Sequence, residues 1–253
     1  MAKINFINVT QNKFLKKQLY RFTTIPKVKK SLIDKEILFS KLERWNDPYE
    51  RYFLKAKYLI NNNYKYLPAK GNIFCLCLTE RYNSEAYWKT YSPMEDGLKI
   101  VFNTEELLKK LNKLRNVKVY IGQVEYRNTN EFPKVFSKNK KYRIFVDPQM
   151  LKNEILNGEI GEEQIKLMLI KRKAFLYEEE IRIFLVPKDK ELLNYSLKIN
   201  ISEIINKFYI DPRIEKKDAY ILIDEFINYY NIENDKVGRS TLYSKVKLKK
   251  FEL

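Results

Sequence analysis

Residues 175–187, FLYEEEIRIFLVP, form a long apolar run with charge set inside it, and this segment limits the possible folds more tightly than any other. Period-two alternation in a strand places Glu178, Glu180, Arg182 and Phe184 on one face and Glu179, Ile181 and Ile183 on the other. A strand this apolar belongs inside a covered sheet. Its charges must then be paired or must front a cleft, because burying them alone is costly. Two readings follow from the segment itself: an exposed strand face with a local Glu–Arg pair, or a carboxylate site.

Around it the pattern is mixed. QLYRFTT (18–24), EILFS (36–40), 72–79 and GLKIVF (97–102) read as strands, as do KVYIGQVEY (118–126) and KFYID (207–211). The stretch opened by Pro26, residues 50–60, 83–91, 104–112 and 161–173 read as helices. Pro26 sits in a first turn, Asn83 or Ser84 caps the 83–91 segment, and Thr104 caps the next. Residues 128–145, with KNKKYR at 138–143, read as a solvated loop. In the last third Ala219, Leu222, Ile223, Phe226, Ile227 and Tyr230 repeat at the spacing of a buried helical stripe. This helix lies between KFYID and a strand candidate, TLYSKVKLK. The alternation is too irregular for a doubly wound sheet, and the expectation is an α+β fold with a mixed β-sheet core and surrounding helices. With six glycines and eight prolines spread along the chain, no linker announces a boundary. One domain over 1–253 is expected, with a motif-bearing core at about 19–186 and a C-terminal α/β extension at about 194–253.

The chain has no histidine, which removes Ser–His–Asp triads, Cys–His dyads and histidine-ligated zinc. The glycines match neither GxGxxG nor GxxxxGK[ST], so a phosphate would be held by arginine, lysine or a helix N-terminus. Cys75 and Cys77, two apart on a strand, share a face and favour neither a disulfide nor a metal site. No metal is expected. General acid–base work falls to carboxylates, tyrosines or lysines. Arg21, inside an aromatic strand, has the fork that grips phosphate, or is a surface strand residue. Trp88 and Tyr91, at i and i+3, offer a wall for a flat ring, or simply core. Asn46-Asp47-Pro48 is a strong turn former, read as structural and as placing a loop, with Glu50, at a pocket mouth.

The 49 Lys and Arg against 32 Asp and Glu give a net charge of +17, which attracts polyanions. Lysine, Asn, Ile and Tyr are also what an AT-rich genome supplies. No run approaches the roughly 18 apolar residues that span a bilayer, and MAKINFINV lacks a positive region followed by an apolar one. A cytoplasmic protein without a membrane partner is expected.

LYRF (19–22), LFS…WNDPYE (38–50), FCLCLTE…YWKTY…GLKIVF (74–102), VEY (124–126) and KRKAFLYEEEIRIF (171–184) resemble, in order, the bacterial domain-of-unknown-function family 2971. The succession of elements is also similar to that of ADP-ribosyltransferases. In those enzymes a first strand carries an Arg that grips NAD, a second ends in Ser or Thr, and a third bears Glu-x-Glu. That resemblance implies Arg21, Thr79, Trp88 and Tyr91 as cofactor-binding, Glu178 and Glu180 as catalytic, and NAD as substrate. The Ser-Thr-Ser of that class is shortened here to Leu78-Thr79. It further implies an RNA, DNA or protein acceptor, a toxin or phage-defence effector, and an antitoxin or system partner; oligomeric state is left open. Two other readings stand beside it. One is a nucleic-acid-binding or RNA-processing module using YFLKAKYLINNNYKY (52–66) and SKNKKYR (137–143), with Asp47 and Glu50 as its carboxylates. The other is a non-catalytic structural protein.

Overall fold

A computed structural model describes residues 3–45, 47–69, 73–188 and 195–243. The chain opens with β1 (Ile4–Ile7), α1 (Gln11–Leu15), β2 (Leu19–Thr24), α2 (Ile25–Asp34) and β3 (Glu36–Lys41). Pro26 lies in the first turn of α2, and Lys35 ends that helix in the left-handed region at φ 51°. Next come α3 (Tyr52–Lys55), β4 (Tyr58–Ile60) and β5 (Asn63–Lys65), so the helix expected over 50–60 is one short turn followed by a hairpin. Asn61 and Asn62 both have positive φ, which suits the tight turn that joins two twisted strands.

The middle of the chain supplies β6 (Phe74–Thr79), α4 (Glu85–Tyr91), β7 (Gly97–Phe102), α5 (Thr104–Asn112), β8 (Val117–Gln123), β9 (Glu125–Arg127), α6 (Pro148–Leu156), α7 (Glu162–Leu167) and β10 (Ile170–Arg172). Ser84 caps α4, its hydroxyl accepting from the Tyr87 amide at 3.4 Å. The cap of α5 is Asn103 rather than Thr104, because the Asn103 side-chain Oδ1 accepts from the Glu106 amide at 3.1 Å. The 128–145 segment holds a 3₁₀ helix over Thr129–Phe136, and α7 is shorter than the helix expected over 161–173. Finally come β11 (Glu180–Pro187), β12 (Tyr195–Lys198), β13 (Ile205–Ile210), α8 (Lys216–Asn228) and β14 (Val237–Arg239).

A mixed 10-stranded sheet runs β1-β8-β11-β6-β2-β7-β13-β14, with β3 on β6 and β12 on β3. This is the α+β arrangement. Alternation along β11 decides the layers. Ile181, Ile183 and Leu185 join Leu76, Leu78, Val119 and Ile121 in a main core, whereas Phe184, Cys75 and Tyr120 join a second core with Phe53, Phe132 and Leu169. Gly122 lets Leu169 approach, since a Cβ there would fall 2.3 Å from Leu169 Cδ1. No helix among the described residues is long and apolar enough to cross a membrane.

The C-terminal strands extend this sheet. β13 pairs antiparallel with β7, and β13–α8–β14 forms a parallel crossover. The last strand is therefore at 237–239; Leu242 and Tyr243 form a turn, and 244–249 of the expected TLYSKVKLK strand lie outside the described residues. Just past β13, Arg213 donates to the carbonyls of Trp88 (3.1 Å) and Ser92 (2.5 Å) and pairs with buried Asp211 at 2.6 Å. The extension thus adds a donor to carbonyls at the end of α4 that already accept from the Ser92 and Glu95 amides.

Candidate active site

Pairing errors in the regular ladder create the cleft. β2 pairs with β7 from Leu19 to Thr24 but with β6 only at Tyr20–Thr79, while β3 takes the far end of β6 at Ser40–Cys75 and Lys41–Phe74. Between β2 on one side and β3–β6 on the other lies a cleft of about 540 Å³. Arg21, Thr79, Tyr91, Asp47, Glu50, Glu178 and Glu180 all line it. Asn46 lies outside the described residues.

Arg21 has no hydrogen bond or ion pair among the described residues, although it is partly buried on its strand. Burial works against its charge and lowers its pKa. A withdrawn guanidinium without a counter-charge is a site for an anion.

The opposite wall is a closed ion cluster. Lys171 Nζ lies 3.1 Å from Glu50 Oε1 and 3.3 Å from Glu180 Oε2, and contacts Glu178 Oε2. Arg182 Nη2 lies 2.8 Å from Glu180 Oε2 and contacts Glu50, while its Nη1 donates to the Met168 carbonyl at 2.6 Å. Three carboxylates therefore face two cations. Burial alone would raise the Glu180 pKa, but Arg182 and Lys171 outweigh it and hold the carboxyl at about 2. Glu178 is raised instead, by burial and by Glu180, against the pull of Lys171. Environments that split two carboxyls in this way mark one as the fixed charge and the other as the proton carrier.

The local backbone differs from a single strand over 175–187. Residues Lys173–Glu178 form a 3₁₀ helix, Glu179 is left-handed at φ 40°, and β11 starts at Glu180. Glu178 and Glu180 reach the same cleft across this kink rather than by alternation. Thr79 Oγ1 and the Tyr87 hydroxyl both donate to the Glu178 carbonyl at 2.6 Å, and the Glu80 amide donates to the Glu179 carbonyl at 3.2 Å. Thr79 also accepts from the Arg81 amide, so its hydroxyl holds the carboxylate turn in place.

The ring wall is Tyr87 with Tyr91, stacked at 5.4 Å, and not Trp88. Trp88 is fully buried, edge-on to Phe22 at 4.9 Å, and is not among the residues lining the cleft. Phe22 on β2 stacks on Tyr87 at 4.8 Å and meets Trp88 edge-on, and the i, i+4 pair Tyr87–Tyr91 rather than Trp88 borders the cleft. Lys171 was not among the sequence candidates; the signal was its place seven residues before the acidic triplet in KRKAFLYEEE.

Asp47 is a clasp. It accepts from the Tyr49 amide at 3.0 Å and takes Arg172 through both carboxylate oxygens at 3.0 and 3.2 Å. Asp47→Ala is expected to lower stability by about 1–2 kcal/mol, read from thermal unfolding; full stability with lost activity would make it a functional group instead.

Acid should unfold the protein through Glu180. Its folded pKa of about 2 lies below the usual 4.5, so its contribution is complete above pH 4.5 and is lost as pH falls toward 2. The loss is on the order of 3 kcal/mol. Glu178, raised when folded, acts in the opposite sense, its contribution being complete below 4.5 and fading as pH rises. Urea midpoints followed from pH 6 downward check this, and Glu180→Gln should flatten the profile.

Residues 87–183 match the family described as protein of unknown function (DUF2971), a shorter span than the motifs at 19–186. The match begins at Tyr87 and contains Lys171, Glu178, Glu180 and Arg182, whereas Arg21, Thr79, Asp47 and Glu50 lie outside it. No curated protein and no solved structure gives a significant match.

Proposed function

We propose that this cleft takes NAD and transfers its ADP-ribose to an acceptor. The observation that carries the reading is the pairing of an unpartnered Arg21 on one wall with an ionised Glu180 on the other, beside a Glu178 whose pKa burial raises. Arg21 would grip the pyrophosphate through its planar fork. Tyr91, backed by Tyr87, would stack on a flat ring. The C1′–N bond of the nicotinamide ribose then breaks, its electron pair leaving on nicotinamide. Positive charge develops on the ribose, and Glu180, kept as a carboxylate by Arg182 and Lys171, offsets it. The acceptor's oxygen or nitrogen bonds to C1′ and its proton passes to ionised Glu178.

Such an enzyme spends a shared cofactor and marks cell components, which suits a toxin or defence effector held by a partner. The test is release of nicotinamide from labelled NAD in the presence of protein, RNA and DNA fractions, with label appearing in one of them. Arg21→Ala should raise KM for NAD more than it lowers kcat. No nicotinamide release with any fraction, together with no thermal stabilisation by NAD, overturns the reading.

A further inference from the structure

We infer that the β4–β5 ribbon and the groove beside it bind single-stranded nucleic acid, independently of the chemistry in the cleft. Among the described residues the ribbon pairs only with itself, yet it is held rigidly. Ile60 and Leu67 are buried in the second core, the Tyr58 hydroxyl donates to the Phe53 carbonyl at 3.1 Å, and the tight Asn61–Asn62 turn closes the tip. Rigid anchoring of an apolar surface that faces water calls for a partner.

Leu59 and Tyr64 sit directly opposite each other across the two strands and are 63% and 70% exposed. Every charged residue from 55 to 66 is a lysine, and Lys55, Lys57 and Lys65 form no ion pair among the described residues. Leu59 also lines a groove of about 510 Å³ with Phe136, Pro148 and Lys152. Phe136 leads straight into Lys138 and Lys140, both exposed and likewise without an ion pair there. An open ring on a ribbon of lysines without ion pairs among the described residues, beside a groove lined by Lys152 and one carboxylate, Asp147, is a combination that stacks a base and tracks its phosphates. An unpaired strand fits better than a duplex, whose bases offer no free face to Tyr64.

The test is fluorescence anisotropy of a short labelled RNA and its DNA counterpart, without NAD, beside the matching duplex and vesicles of phosphatidylcholine with phosphatidylserine. Single strands should bind best, and affinity should fall by roughly tenfold or more from about 50 to about 200 mM salt. Tyr64→Ala and the double variant Lys57→Glu/Lys65→Glu should each weaken binding by roughly tenfold or more. These side chains are exposed, so thermal unfolding should not move, and nicotinamide release in the absence of a macromolecular acceptor should stay at the wild-type rate. Binding to vesicles but not to strands, preference for the duplex, or wild-type affinity in both variants overturns the inference. Because strand binding and NAD cleavage are read separately, either can fail alone.

Discussion

Glu180→Gln is expected to cut nicotinamide release by roughly 100- to 1000-fold while NAD still raises the melting temperature. The amide keeps an oxygen toward Arg182 and Lys171 but not the charge that offsets the transition state. The same charge neutralises two buried cations, so this variant should also lose stability and must be assayed well below its own midpoint. Glu178→Gln separates the two effects. It removes the excess negative charge of a cluster with three carboxylates and two cations, so stability should hold or rise. Turnover should fall only in part, or the choice of acceptor should change. A Glu180→Gln enzyme with wild-type turnover would reduce the cluster to a structural one.

Arg182→Met is expected to lower the unfolding free energy by about 3–5 kcal/mol. Arg182 is 1% exposed, holds Glu180, Glu50 and the Met168 carbonyl, and lies 4.2 Å over the Trp45 ring. Methionine fills much of that volume but leaves three carboxylates to Lys171 alone. The urea midpoint should drop with an unchanged slope. Adding Glu180→Gln should return part of the loss, since the carboxylate left unpaired is then gone. A change below about 1 kcal/mol would mean that water reaches the cluster.

What the sequence made legible was what local periodicity controls. The alternation of Glu180, Arg182 and Phe184 against Ile181 and Ile183 held, as did the Ser84 cap and the opening of α2 at Pro26. Long-range contacts decided the rest. The helix expected over 50–60 stops at Lys55 because the chain turns into a hairpin at left-handed Asn61 and Asn62, which leave no apolar signal. Trp88 and Tyr87 exchanged places against Phe22, which lies far away in the chain and meets both. The kink at Glu179 depends on hydroxyls from Thr79 and Tyr87, and a strand pattern could not reveal it. That Arg21 lacks a partner is a property of the register between β2 and β6, which no single segment encodes.

The lone rung between Tyr20 and Thr79 divides the sheet into two leaves sharing a one-stitch spine. β2, β7, β13 and β14 form the leaf that carries Arg21; β1, β8, β11, β6, β3 and β12 form the leaf that carries Glu180. Each leaf has its own full ladder, so one backbone rung joins them in the sheet, while a shared apolar core beneath holds them together. A molecule gripped by Arg21 and Glu180 together would staple the leaves, and its grip would be felt as slowed amide exchange along the spine at Tyr20 and Thr79, which border the same cleft.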